Sequence, residues 1–189
     1  MNSAQQQRVQ NVSVQRGDAR IDGTTLDGAL HGTARVQADG VVIAVQNYAR
    51  GVLHGPATMM HPDGSRAALL NYVNGKLEGK AVYYAPDGAL QREAHYAQGL
   101  LHGECKTWLP DGTLLEQAVY RQGKLQGVLQ RFHPNSKLAE RHVFNAGKPL
   151  EPAQRYASDG RPLGKDGKPI ARWKQWWRTM TGHGDAAAG

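Results

Sequence analysis

Three histidines, His31, His54 and His102, each follow a leucine and precede a glycine, and Glu78 and Gln126 occupy the same place in Leu77-Glu78-Gly79 and Leu125-Gln126-Gly127. A recurring row of imidazoles and a carboxylate suggests a metal site. Asp63, Asp87 and Asp111 recur at 24-residue intervals, and carboxylates brought together can do acid–base work. Cys105, the single cysteine, is the one thiol nucleophile on offer. A fourth set has the chemistry of binding rather than turnover. Trp173, Trp176, Trp177 and Met180 fall at i, i+3, i+4 and i+7, one face of a helix, with Arg172, Lys174 and Arg178 off that stripe. The sequence has no His-Glu-x-x-His, no Cys-x-x-Cys, and no glycine-rich phosphate loop ending in Gly-Lys-Ser/Thr.

The elements that would position these residues are set by a repeat. Tyr48, Tyr72, Tyr96, Tyr120 and Phe144 are 24 residues apart, and Gly40, Gly64, Gly88, Gly112, Ser136 and Gly160 form a parallel series. One unit copied about six times implies an elongated array rather than a globule with one deep pocket. Within a unit, Pro86-Asp87-Gly88 is a turn: proline presets φ, aspartate bonds the following backbone, and glycine accepts positive φ. A second turn, G-x-x-x-G, closes the other end. Between them the side chains alternate with period two, as in half-buried strands. Val82 and Tyr84 share one face; Leu90, Ala94 and Tyr96 are expected to share another. Both aromatic series, the tyrosines and the column Met60, Tyr84, Trp108, Phe132 and Tyr156, read as core.

This geometry acts against catalysis. Equivalent positions in successive units lie two strands, about 10 Å, apart, whereas zinc ligands gather within ~2.3 Å of one ion. The histidine row is therefore expected to be exposed turn residues, and the aspartates turn formers too far apart for a carboxylate dyad. Cys105 stands where other units have Ala57, Ala81, Leu129 and Ala153, and reads as a small packed side chain. No catalytic residue, metal or cofactor is expected. The positions free to carry function are those that vary between copies: Arg92, Glu116 and Glu140 with Ala68 in one column, Tyr83, Thr107, Arg131 and Arg155 in another.

The chain has 189 residues and a formal net charge of +7. Residues 161–189 carry six Lys and Arg against two Asp, so the tail is the basic part and the array is nearly balanced. A nucleic-acid binder would spread a basic stripe along its body, so nucleic acid is not an expected partner. One cysteine rules out an intramolecular disulfide. The opening MNSAQQQRVQNVSVQRG lacks the apolar run of a signal peptide. The expected compartment is the cytoplasm, with a periplasmic protein stripped of its signal as the alternative.

Leu30-His31-Gly32, Leu53-His54-Gly55 and Leu101-His102-Gly103, each followed by Asp-Gly and the third also by an aromatic, resemble the MORN repeat family over about residues 26–160. The order Tyr-x-x-Gly, x-Gly, aromatic, Asp-Gly is most similar to the bacterial variant in antitoxin components of toxin–antitoxin systems. The sequence departs from the pattern at Asn135-Ser136 and at Glu151. The resemblance implies an all-β meander of about six hairpins and a cognate toxin or effector protein as partner. The array is expected over 26–160, an N-terminal cap over 1–25, and a linker (161–170) with a Trp-rich helix over 161–189. The expected partner-binding residues are Tyr83, Arg92, Glu116, Arg131 and Arg155 on the sheet, and Arg172, Trp173, Lys174, Trp176 and Trp177 in the tail. The rival expectation is a membrane- or phospholipid-associated scaffold that uses the basic Trp-rich tail.

Overall fold

A computed structural model describes residues 8–170 of the chain. They form one open antiparallel sheet of 18 strand segments, from Val9–Arg16 to Gln154–Arg155. Pairing runs only between successive strands of the chain, so the sheet is a meander, and there is no helix among the described residues. The segments before and after each x in Lys76-Leu77-x-Gly79 are two halves of one strand: Lys76–Leu77 and Gly79–Tyr84 both pair with Arg66–Val73. The all-β hairpin array expected from the repeat is the fold found.

The turns form as their chemistry dictates. At Pro86-Asp87-Gly88 the Gly88 N–H bonds the Ala85 carbonyl, and Asp87 Oδ1 accepts from the Ala89 N–H at 2.9 Å. The same bond recurs at Asp63, Asp111, Asn135 and Asp159. Ser136 takes the glycine's place with φ 62°, a left-handed conformation that costs a non-glycine residue about 1–2 kcal/mol. At the opposite edge the paired turn residues Arg50-Gly51 to Ala146-Gly147 all have positive φ.

A β-bulge sits beside each Pro-Asp-Gly turn. The pairing shifts between Tyr83 and Tyr84, so Tyr83 meets Arg92 but Tyr84 meets Leu90, and Gln91 is left over. Equivalent shifts occur at Met59/Met60, Thr107/Trp108 and Arg131/Phe132. Residues paired across a ladder share a face. Leu90 therefore lies with Tyr84, not with Ala94 and Tyr96, which corrects the strict alternation expected for that strand. The extra residue inverts the faces locally.

The two aromatic series thus occupy opposite faces, and neither is the core. Tyr48, Tyr72, Tyr96, Tyr120 and Phe144 pair with the glycines of the preceding strand, on the face of the small residues. Tyr84, Trp108 and Phe132 pair with Leu90, Leu114 and Leu138 on the other. All of these aromatics are half-buried. The fully covered side chains are nearly all small: Ala34, Ala44, Ala57, Ala68, Ala81, Ala94, Cys105 and Ala118, with the larger Leu129 at the end of the series, are each at most 6 % exposed. In a sheet one layer thick nothing packs from above. Only short side chains can be covered completely, by the longer ones leaning over them from the adjoining rows. Cys105 lies in this spine, paired with Ala94 and Ala118, as its repeat position implied.

Within the residues expected as the N-terminal cap, Val9–Arg16 and Ala19–Leu26 are strands that pair over their full length and continue the sheet. Residues 161–170 are not a bare linker. Bridges at Tyr156–Pro162 and Leu163–Pro169 carry the meander on, and a Lys165-Asp166-Gly167 turn closes with the same bonds as the others, Gly167 N–H to Gly164 O and Lys168 N–H to Asp166 Oδ1. The expected Trp-rich helix, with Arg172, Trp173, Lys174, Trp176 and Trp177, lies outside the described residues.

Candidate functional site

The bulges and strand registers bring the sheet residues expected to bind a partner into one line. Reading across the strands, each residue is the direct partner of the next: Ala68, Tyr83, Arg92, Thr107, Glu116, Arg131, Glu140, Arg155. Two sequence columns, 68/92/116/140 and 83/107/131/155, alternate in this row because successive strands run in opposite directions. Tyr83, Arg92, Glu116, Arg131 and Arg155 therefore share one face. It is also the face of the tyrosine series, since Arg92, Ala94 and Tyr96 alternate on one strand.

From Glu116 onward the row is an ion-pair ladder. Arg131 Nε lies 2.8 Å from Glu116 Oε2, and its Nη1 3.0 Å from Glu140 Oε2. Arg155 Nε reaches Glu140 Oε1 at 3.2 Å, and so does His142 Nε2. Glu140 is the pivot: its side chain is 16 % exposed, while those of Arg131 and Arg155 are 52 % and 69 % exposed. Burial pushes its carboxyl up, but the hydrogen bonds from His142, Arg155 and Arg131 outweigh that and hold it below the usual range. The bonds that Arg131 donates, to Glu116 first and then to Glu140, raise its own value. His142 stacks on Phe144 with ring centroids 5.5 Å apart, and its Nδ1 is buried without a partner.

At the other end of the ladder the row turns apolar. Tyr83 OH lies 3.3 Å from Tyr96 OH. Burial first, and that bond second, push the Tyr83 phenol far above its ordinary value. Arg92 Nε donates to the Cys105 sulfur at 3.3 Å, so its side chain reaches a residue of the small-residue spine. Beyond Ala68 the row continues through Met59, Ala44, Val36, Ile21 and Val14. One line across the sheet thus passes from aliphatic to aromatic to alternating charge.

Four residues of the histidine row, His31, His54, Glu78 and Gln126, have a role that sequence reasoning missed. His31 and His54 each turn Nδ1 toward the backbone N–H of a left-handed turn residue in the next unit, Arg50 at 3.4 Å and Asn74 at 3.5 Å. Glu78 and Gln126 do the same for Gln98 and Ala146, at 2.9 and 3.0 Å. Any acceptor of suitable length serves, which is why His, Glu and Gln interchange there. The recurrence of acceptor-bearing side chains beside positive-φ turns was the available signal. His61 and His133 make a second link, each bonding through Nε2 a carbonyl of the following unit, Tyr84 and Tyr156. Among the described residues no three His, Cys, Asp or Glu side chains converge to hold a metal ion. Open depressions of about 380 and 630 Å3 flank the final hairpins. The first is lined by His142, Leu150 and Ala153, the second by Tyr156, Leu163 and Ile170.

Residues 47–66 match the MORN repeat, and residues 77–98 and 101–122 match the MORN repeat variant. These hairpins are thus similar to MORN repeats, over 64 of the 189 residues. The matched stretches span the hairpins from Tyr48 to Tyr120, and the remaining hairpins repeat their pairing without a match of their own. No curated protein is significantly similar to the chain.

Proposed function

We propose that the chain is a non-catalytic protein-binding module of antitoxin or immunity type, which neutralises a toxin or effector protein by covering its active or binding surface. MORN repeats generally serve as protein- or membrane-binding modules, and the variant repeat at 77–122 covers the part of the sheet where the charged row begins. The observation that carries the reading is the gathering of Tyr83, Arg92, Glu116, Arg131 and Arg155 on one face. Sequence columns that vary in type are brought together over a scaffold that does not vary. Arginine and tyrosine are residue types enriched where proteins dock. Occlusion by a sheet face needs no pocket and no cofactor. The test is titration calorimetry of the full chain against the product of the adjacent reading frame. Binding at a one-to-one ratio is expected, with affinity reduced at least tenfold by Arg131→Glu combined with Arg155→Glu. The same affinity in that variant, with the sheet intact by circular dichroism, overturns the reading.

A second reading, a membrane-associated scaffold, has its own observation. The G-x-x-x-G edge presents Arg50, Val52, Lys76, Leu100, Lys124, Lys148 and Leu150, all exposed, while the opposite edge carries the aspartate turns. Basic residues interleaved with protruding aliphatics suit an anionic lipid surface. Sedimentation with phosphatidylserine vesicles separates the two readings. Binding lost in Lys76→Glu with Lys124→Glu, while Arg131→Glu leaves it unchanged, favours the scaffold.

A further inference from the structure

The two outer edges of the sheet are built differently. The last described strands are short, Lys148–Pro149 and Gln154–Arg155, and prolines 149, 152, 162 and 169 lie in or beside them. Short strands and prolines are the usual means of blunting an edge. The first strand, Val9–Arg16, has neither. It runs eight residues, VQNVSVQR, with no proline, no lysine and no acidic residue, and its outer side pairs with no described residue. Val9 is 67 % and Val14 60 % exposed.

We infer that Val9–Arg16 pairs with the same strand of a second copy, antiparallel about a two-fold axis at Ser13, so that the sheets of two chains join into one. The backbone phase allows it. Arg8 O accepts from the Asp27 N–H, so by the alternation of an antiparallel ladder the even-numbered residues of the strand turn their N–H and C=O groups inward. Val9, Asn11, Ser13 and Gln15 turn theirs outward. A Ser13–Ser13 axis makes Asn11–Gln15, Ser13–Ser13 and Gln15–Asn11 the hydrogen-bonded pairs. Val12 then stands opposite Val14 of the second copy in the closer, non-hydrogen-bonded pairs. Both valines lie on the face of Ile21 and Val36. The aliphatic end of the long row thus runs on into its own image. An axis at Val12 would instead set Val14 against Gln10. The blunted far edge prevents head-to-tail addition, which would give open fibres, so the assembly closes as a two-fold dimer.

The experiment is sedimentation analysis of the full chain with three single substitutions. The native protein is expected at twice its 20.6 kDa mass at about 100 μM, dissociating on dilution. Ser13→Pro removes an outward N–H and leaves the ladder to Ala19–Leu26 in place, and is expected to give a monomer. Ser13→Cys tests the axis. Hydrogen-bonded partners have Cα atoms about 5.5 Å apart, within disulfide range, so mild copper–phenanthroline oxidation is expected to cross-link it at least tenfold faster than Gln15→Cys. A native chain that stays monomeric throughout, a dimer untouched by Ser13→Pro, or equal cross-linking of the two cysteine variants overturns the inference. If Ser13→Pro fails to fold, the cysteine comparison decides. Loss of this dimer leaves the partner-binding reading of the sheet face standing, because Arg131 and Arg155 lie at the far end.

Discussion

The spine of small side chains makes Ala94 the most exacting position in the array. It is 0 % exposed, paired with Ala81 and Cys105, and flanked on its own strand by Arg92 and Tyr96, whose side chains reach over it. Ala94→Val adds two methyl groups where no space is left. Overpacking a filled site costs about 1–3 kcal/mol. The intrinsic strand preference of valine returns at most ~1 kcal/mol. The expected net loss is therefore about 1–2 kcal/mol. Because each unit touches only its neighbours, the loss should stay local. Urea unfolding gives its size, and native-state hydrogen exchange gives its extent. Protection should fall in Gly79–Tyr84, Leu90–Ala97 and Leu100–Trp108, and stay unchanged in Val41–Ala49. Glu93→Val is the control: Glu93 projects from the other face, pairs with Lys80 at 2.6 Å, and should cost less than ~1 kcal/mol as an exposed ion pair. If Ala94→Val is neutral or stabilising, the space above the spine is open, and the long side chains do not close it as argued.

Gly103 has φ 103°, and a Cβ there would meet His95 Cβ at 3.3 Å, whereas Gly88 has φ 84° and open space around it. Gly103→Ala should therefore lower stability by about 1 kcal/mol more than Gly88→Ala, read as a difference in urea midpoint; equal effects would mean that His95 yields freely. Glu140→Ala removes the common partner of Arg131, Arg155 and His142. With both arginines more than half exposed, about 0.5–2 kcal/mol is expected, and the loss should shrink in 1 M salt; a salt-independent loss would point to packing instead. Asp63, Asp111 and Asp159 are held below their ordinary 3.8, chiefly by the Ser65 hydroxyl, the Thr113 N–H and the Arg161 N–H respectively. Depressed carboxylates stabilise the fold above their unfolded value, and that stabilisation is lost as pH falls through the folded value. Stability should thus be flat above about pH 5 and decline below pH 4, and Asp111→Asn should reduce the acid slope; an unchanged slope would remove the turns from the account.

The fold was legible because its signals are local and repeated. Pro-Asp-Gly specifies a turn from three residues, and the 24-residue tyrosine spacing fixes the length of strand between turns. What could not be read was the bulge. Gln91, Leu115 and Ala139 carry no mark of being unpaired, and period-two counting runs straight through them. That one extra residue per hairpin moves Leu90 and Leu114 to the other face, separates the two aromatic series, and leaves alanine as the covered core. The hairpin hidden in 161–170 escaped for a related reason. Its turn lies seven residues after the last one, out of phase with the repeat, although Lys165-Asp166-Gly167 has the right chemistry.

The binding row shows what the same bulge does for function. Tyr83 and Arg92 sit at different places in the repeat unit, and so do Arg131 and Glu140. Direct pairing of these residues ends where the bulge begins, so the row is the last regular register before each turn. Beyond it Tyr84 and Phe132 go to the opposite face and pair with leucines. The bulge therefore sets a border, with variable side chains on one side and scaffold aromatics on the other. Moving the border by one residue should exchange them. Deletion of Gln91 removes the extra residue of one hairpin: Tyr83–Arg92 and Tyr84–Leu90 would become consecutive pairs, and the bend and added twist that the bulge supplies would be lost. It should lower stability by more than Ala94→Val does, and disturb the row only between Tyr83 and Thr107. A deletion that leaves Arg131 and Glu140 in contact while displacing Arg92 would establish that the row is assembled hairpin by hairpin, as its registers imply.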